Sequence, residues 1–280
     1  MTTNDGRVTT VVVSRNRRDQ LLHSLGRHQG PVVLVDNGST DGTAKAVRER
    51  FPHVQVVPLE KNHGSPGRNI GVQLAQTPYV AFADDDSWWA EGALAACADV
   101  FDRHPRLGLV AGRMLVGPEE RLDPLCEVLA SSPLPTRPDL PGTPILGFMA
   151  CGAIVRREAF LAAEGFDEVT FFFGEEDRLA WDMAAAGWDL VYLPEVVAHH
   201  HPQASAARTG RGRLMTRNAI LTATMRRPWT VVVAELLSAV RSGREGIGGV
   251  VDAVPRLRGA LAQRTRLPSS VEAQVRTLQA

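Results

Sequence analysis

The chain has 280 residues with equal numbers of acidic and basic side chains and an ordinary apolar fraction, enough for a full core as one large domain or one domain with an appendage. Three scattered cysteines (Cys97, Cys126, Cys151) fit reduced cytosolic thiols better than a disulfide framework or a zinc site. Met1–Asp5 lacks a basic segment leading into an apolar stretch, no run reaches the roughly 18 apolar residues of a membrane span, and nothing points to nucleic acid.

The zero net charge hides an asymmetry. Residues 203–280 hold 13 arginines, no lysine and 4 acids, a balance of +9, leaving −9 for residues 1–202. This predicts an acidic catalytic part, 1–202, and a basic helical extension, 203–280.

In chain order, Val8 to Ser14 reads as a strand buried on both faces, Asp19 to Leu25 as a helix, and Pro31 to Val35 as a strand ending at Asp36. Helices at Gly42–Arg50, Ser65–Ala75 and Glu91–Arg103 alternate with strands at Val54–Leu59, Tyr79–Ala83 and Leu107–Leu115. Such alternation predicts an α/β fold, a mainly parallel mixed sheet flanked by helices, with ligands beyond the carboxyl ends of the strands. Ser131 to Pro144 carries five prolines and reads as a long surface loop, a candidate lid. A strand at Gly152–Val155 and a helix at Glu175–Ala186 follow, then short strands at Asp189–Leu193 and Val196–Ala198. His199-His200-His201-Pro202 closes the α/β part, and helical stretches lie near Leu214–Met225, Trp229–Arg241 and Gly249–Ala262.

The chemistry centres on Asp84-Asp85-Asp86 at the end of a hydrophobic strand. Three adjacent carboxylates repel, and a divalent cation, magnesium or manganese, relieves them while sharing its shell with substrate phosphates. Asp86 is the first choice as direct ligand, with Asp84 on the ribose or the ion, Asp85 beside them, and His199 as the late-sequence ligand. Asp36, at a strand terminus, can accept hydrogen bonds from a ribose or a base edge. Asn62-x-Gly64 and Gly67-Arg68-Asn69-x-Gly71, at a helix start, can meet a diphosphate or a sugar. Glu175-Glu176-Asp177 opens a helix; the helix dipole alone favours acids there, yet one of them aimed into the cleft can accept a proton.

These pieces, with Ser14-Arg15-Asn16-Arg17, Val35-Asp36-Asn37-Gly38-Ser39-Thr40-Asp41-Gly42, Gly165-Phe166-Asp167-Glu168 and Pro194-Glu195 leading into His199, resemble in their order the family 2 glycosyltransferases of the A-type, Rossmann-like glycosyltransferase fold. Within the family the chain is most similar to bacterial rhamnosyltransferase-type enzymes that decorate polysaccharides, glycolipids or natural products. The resemblance implies inverting transfer from a UDP- or dTDP-linked sugar to an acceptor hydroxyl. It implies nucleoside contacts from Asp36 and the backbone at Ser14 and Arg15, an Asp-x-Asp motif at Asp84 and Asp86, and Asp177 as general base. Glu176 remains a second candidate base. The Gln-x-x-Arg-Trp motif of processive synthases is missing, which implies one sugar per event.

Two other classes were weighed. A sugar-nucleotide pyrophosphorylase needs a Gly-rich, Arg-containing loop and a Lys after its first strand, which Ser14-Arg15-Asn16-Arg17 is not. A non-catalytic relative has no need of Asp86, Asp177 and His199 together. In the tail, an apolar stripe from Trp229 to Val240 flanked by arginines suits the catalytic domain, a second subunit as in a homodimer, or an anionic membrane surface. The expected location is the cytoplasm, peripherally at the inner membrane face.

Overall fold

The computed structural model describes residues 6–202 and 210–279; the N-terminal residues 1–5 and the boundary drawn at 203 lie outside them. The strands are β1 (Val8–Ser14), β2 (Val32–Asp36), β3 (Gln55–Pro58), β4 (Tyr79–Asp84), β5 (Ser87–Trp89), β6 (Leu107–Val116), β7 (Arg121–Leu122), β8 (Thr143–Pro144), β9 (Ala153–Arg156) and β10 (Asp189–His200). The helices are α1 (Arg18–Ser24), α2 (Thr43–Arg50), α3 (Gly67–Leu74), α4 (Ala93–Arg103), α5 (Pro124–Ala130), α6 (Arg157–Ala162), α7 (Glu175–Ala185), α8 (Arg211–Arg226), α9 (Trp229–Arg241), α10 (Arg244–Ala253), α11 (Leu257–Ala262) and α12 (Ser269–Gln279).

β-Branched side chains, stiff at χ1, favour extended backbone, and β1 is built almost wholly of them with six of its seven residues buried. It lies inside one sheet of order β3-β2-β1-β4-β9-β6-β10-β5, with β7 beside β6 and β8 beside β10. The strands from β3 to β4 are parallel, as are β6 and β10; β9 runs antiparallel between β4 and β6. The expected mainly parallel mixed sheet is therefore present. Its register aligns the chemistry: Ser14 pairs with Asp36, and Val13 with Asp84, so three strands deliver polar side chains to one rim.

Among the differences from expectation, four bear on the sheet and its rim. β5 is too short to read from sequence, yet it pairs antiparallel with the end of β10 (His200 with Ser87) and draws the acidic turn to that strand. The two short strands expected after Asp189 are one, β10, with a register shift between Leu193 and Val197 around Pro194. α12 has no counterpart in the expected helices; Val271 and Val275 on it join the main core. The proline-rich 131–144 segment is not a lid over the acidic turn. Arg137 binds Asp189 at 2.8 Å, so the segment is pinned where β10 begins, the end of the sheet opposite Asp84.

Helices α8 to α11 build a smaller core of their own, which Val169 of the α/β part enters. Several tail arginines are engaged internally: Arg226 binds Asp182 at 2.5 Å, Arg227 binds Glu272 at 2.6 Å and Arg213 binds Asp252 at 2.5 Å.

One glycine of the resembling motifs is fixed by packing. A Cβ on Gly71 would stand 2.3 Å from Val11 Cγ1, because α3 lies directly on β1. Overpacking of this kind costs about 1–3 kcal/mol, so Gly71→Ala is expected to lower the urea midpoint of unfolding by that equivalent.

Candidate functional site

At the carboxyl rim the sheet ends and the chain turns away, leaving a hollow of about 410 Å³. Ser14, Arg15 and Arg17 line it from the end of β1, Asn62, Gly64, Ser65 and Arg68 from the α3 entry, and Asp84, Asp85 and Asp86 from the β4–β5 turn. Asn37, Phe171, Phe172 and His200 complete the wall. Two asparagines shape it. Asn37 donates to the Gly64 carbonyl at 3.0 Å and accepts from the His63 N–H at 2.8 Å; Asn62 accepts from the Gly64 N–H at 2.9 Å.

Electrostatics in the hollow follow from crowding. Arg68 is buried and binds Asp84 at 2.6 Å. Burial opposes its charge, but Asp84, Glu175 and Glu176 outweigh burial and hold the guanidinium above its ordinary value. Its Nε, also buried, has no hydrogen-bond partner among the described residues. Asp85 accepts from Ser14 Oγ at 3.1 Å, yet enclosure and the charges of Asp86 and Asp84 push its carboxyl up to about 7.

The histidine run is resolved by strand alternation. His199 turns away from the hollow: its Nδ1 lies 3.2 Å from Glu120, and its ring stacks on Trp88 at 5.5 Å. His200 turns inward, with Nε2 3.2 Å from Asp86 Oδ1. His200, not His199, is therefore the histidine beside Asp86. Burial opposes a charged His200 imidazole, but the hydrogen bond and charge of Asp86 win and raise it. Among the described residues no three His, Cys, Asp or Glu side chains converge as a ready metal cage. The carboxylate–imidazole pair Asp86–His200 suits magnesium or manganese only if substrate oxygens complete the shell, which is the usual arrangement for such ions at phosphate sites.

The three acids opening α7 separate by the helix rotation of about 100° per residue. Glu175 is buried and accepts from Ser65 Oγ, with its Oε2 unpartnered. Glu176 is half-buried, and its field reaches Arg68. It also surrounds the buried Cys151 together with Asp84, Arg68 and Asp86, burial being the larger cause of that thiol's raised value. Enclosure, then Glu175, push Glu176 up to about 8. Asp177 does not share the hollow with Asp86. It faces a neighbouring hollow of about 220 Å³ with Leu146, Gly147, Phe148, Trp181 and Leu278. Its side chain is open to that space, yet the surrounding walls and then Glu175 raise it to about 6.

Of the residues expected from sequence, Ser14, Arg15, Asn62, Arg68, Asp84, Asp85 and Asp86 thus meet in one hollow. Asp36 does not line it: the side chain is buried under its own turn and accepts from the Ser39 N–H at 3.0 Å. Sequence reasoning gave no role to His200, Arg17, Asn37, Phe171 or Phe172. Period-two alternation in β10 is the one signal that points to His200. The quoted Gly165-Phe166-Asp167 motif is a clasp: Asn69 accepts from the Phe166 N–H at 2.9 Å and donates to its carbonyl at 2.8 Å, and Asp167 binds Arg178 at 2.9 Å.

This sheet order, with an acidic turn at its carboxyl rim, is the A-type glycosyltransferase fold. The Pyrobaculum calidifontis mannosyltransferase PcManGT in complex with GDP-Man and Mn2+ superposes with a TM-score of 0.59 at 18% identity, covering 98% of this chain and 86% of its own. Staphylococcus aureus TarS in complex with UDP-GlcNAc gives a TM-score of 0.60 at 16% identity, covering 96% and 83%. Residues 11–162 match the model of Glycosyl transferase family 2, and the chain belongs to that family. It is also 29% identical over 211 residues, 63% of this chain and 68% of the relative, to the N-acetylglucosaminyl-diphospho-decaprenol L-rhamnosyltransferase of Mycobacterium tuberculosis.

The raised carboxyls set a pH dependence. The folded chain holds the Glu176 proton more tightly than the unfolded chain, so this contribution to stability is complete below the ordinary value of 4.5 and is lost as pH rises to about 8. Asp177 adds a loss between 3.8 and about 6. The melting temperature of ligand-free protein is expected to fall across this window, and Glu176→Gln to flatten its upper part, as read by scanning fluorimetry.

Proposed function

We propose that the chain moves a sugar from a nucleoside-diphosphate sugar, UDP- or dTDP-linked, to an acceptor hydroxyl with inversion, one sugar per event. The observation that carries this is the convergence on one rim hollow of the Arg68 guanidinium with the Asp86–His200 pair. Ser14, Arg15 and Asn62 lie where the nucleoside and phosphates would enter, and Arg15 and Arg17 supply positive charge at that wall. The nucleotide sugars bound by TarS and by PcManGT support this donor class. Asp86 and His200 would hold a divalent cation, with Asp84 close by, and when bound it offsets charge on the departing diphosphate.

Glu176 is assigned the base. It takes the proton from the acceptor hydroxyl as that oxygen bonds to the anomeric carbon, and the bond to the diphosphate breaks on the opposite face. A single displacement of this kind inverts the centre. The ground for assigning Glu176 is that its field reaches Arg68 of the donor hollow, while Asp177 faces the other one. The acceptor is assigned the neighbouring hollow, where one carboxylate, Asp177, stands among apolar side chains, a lining that suits an acceptor with an apolar body. Residues 1–202 form the catalytic part in this reading, and 203–280 an extension of it.

Glu176→Gln is expected to lower kcat about 10²–10⁴-fold with donor affinity kept, and Asp177→Asn to raise the acceptor KM with kcat and the donor KM little changed. Steady-state kinetics on a nucleotide-sugar panel with manganese measure both. Full turnover by Glu176→Gln would remove the base assignment, and a parent that binds nucleotide but turns over no sugar would favour a non-catalytic relative.

We also propose a cytoplasmic location at the inner membrane face. No helix among the described residues is long and apolar enough to cross a membrane. On α9, however, Trp229, Val233, Leu237 and Val240 are each about half exposed and recur at helical spacing, with exposed Arg241 and Arg244 beyond them. Such a face suits an anionic bilayer. The protein is expected to sediment with anionic vesicles at low salt and not with neutral ones, and Trp229→Ser with Leu237→Ser to weaken this. A concentration-dependent dimer that the same pair of changes dissolves, without vesicle binding, would instead assign the face to a second copy.

A further inference from the structure

We propose that Asn218, in the extension, is a positioning residue for the donor hollow, and that α8 thereby serves as the outer clamp of the wall formed by Phe171 and Phe172. The inference rests on the reading of that hollow as the donor site.

The argument starts from backbone accounting, since buried carbonyls need donors. Residues 169–173 lie in neither helix nor strand, so their carbonyls have no ladder to join. Yet each accepts a hydrogen bond. The Val169 carbonyl accepts from Arg256 Nη1 at 2.7 Å and the Thr170 carbonyl from Arg217 Nη2 at 2.7 Å. The Phe171 carbonyl accepts from the Ser65 N–H at 2.8 Å. Asn218 Nδ2 donates to two successive carbonyls, at 2.6 Å to Phe172 and also to Phe173. Three of these donors belong to the extension.

The segment needs such a clamp. Phe171 and Phe173 have φ of 68° and 71°, the left-handed region that bulky side chains rarely adopt. A turn so wound persists only where its surroundings over-determine it. Cationic side chains from the tail cover its rings: Arg211 lies 4.7 Å from the Phe173 centroid and Arg256 5.8 Å from that of Phe171. Asn218 itself is 1% exposed, and Arg217 Nε donates to its Oδ1 at 2.8 Å, which orients the amide toward the turn.

What the clamp holds in place is functional. Phe171 and Phe172 line the hollow, and Phe172 is 46% exposed, its ring open to whatever binds. The Gly64 loop on the other side of the hollow approaches so closely that a Cβ there would stand 2.3 Å from the Phe171 carbonyl. Immediately after the turn, Gly174 opens α7 and Glu176. Loosening the turn would therefore displace the aromatic wall against the donor.

The test compares the full-length parent with Asn218→Ala, Arg217→Met and Thr224→Val. Thr224 is buried on the same helix, and its hydroxyl donates to the Ile220 carbonyl of that helix. Asn218→Ala is expected to raise the donor KM, and the Kd for the matching nucleoside diphosphate, about tenfold, with the acceptor KM unchanged. Arg217→Met, a milder change at the half-buried outer bond, is expected to raise both about threefold and carries the test should Asn218→Ala not fold. Thr224→Val is expected to lower the melting temperature while leaving donor KM and Kd at the parent values. Parent-like donor KM and Kd in folded Asn218→Ala or Arg217→Met would overturn the clamp, as would an equal rise in Thr224→Val. A parent that binds no nucleoside diphosphate would overturn the donor assignment itself, a result distinct from either.

Discussion

Crowding of like charge at the end of one strand is the constraint on which the site depends. Asp84, Asp85 and Asp86 follow one another, α7 brings Glu175 and Glu176 alongside, and Arg68 is the one arginine whose side chain is buried in that hollow. Burial and then the neighbouring acids raise the Asp85 and Glu176 carboxyls, and the acids raise the Arg68 guanidinium against its burial. In water such a cluster would simply disperse its charge. Enclosed at a sheet rim, it stays assembled only because backbone register fixes it, and it becomes a place where added positive charge is favoured. The same field explains why Arg68 is buried with one N–H unpaired: its net interaction with the acids exceeds the desolvation it suffers.

How much of this was legible in the sequence divides along a physical line. Parallel strands announce themselves by unbroken β-branched runs, and their carboxyl ends share a rim, so Ser14, Asp84 and Asp86 could be placed together before any coordinates. What could not be read was which of two adjacent residues faces inward. His199 and His200 differ by half a strand period, and the choice depends on the pairing of β10 with β5, a three-residue strand. Glu176 and Asp177 differ by a helix rotation of about 100°, and the choice depends on how α7 is seated by Glu175 against Ser65. Asp36 poses a different question. A strand-terminal carboxylate can serve a ligand or its own turn, and here one of its oxygens accepts from the Ser39 N–H.

Composition alone does not say where the charge of the basic tail lies. A surplus of arginine counted along a chain suggests a charged surface, but guanidinium groups also satisfy carbonyls and buried acids. Arg226 and Arg178 both bind Asp182. Arg264 donates to the carbonyls of Thr224 and Arg227, and Arg227 binds Glu272. Several of the charges that would have defined an electrostatic patch are thus cross-links between helices. Arg241 and Arg244 stay exposed just beyond the α9 stripe, whose Trp229, Val233, Leu237 and Val240 are exposed as well.

These ties give the extension a closer bearing on chemistry than its position after the histidine run suggests. Val169 enters the small core of α8 to α11, while Val271 and Val275 of α12 enter the main one, so apolar burial runs in both directions across the junction. Residues 169–173 lie where these helices meet the sheet rim, and they have no regular structure to fall back on. A segment of this kind takes its shape from what surrounds it rather than from its own propensity. With the loop before α3 supplying the Ser65 N–H on one side and α8 supplying Asn218 on the other, the wall of the hollow is set jointly by the strand–helix alternation and by the helices that follow it.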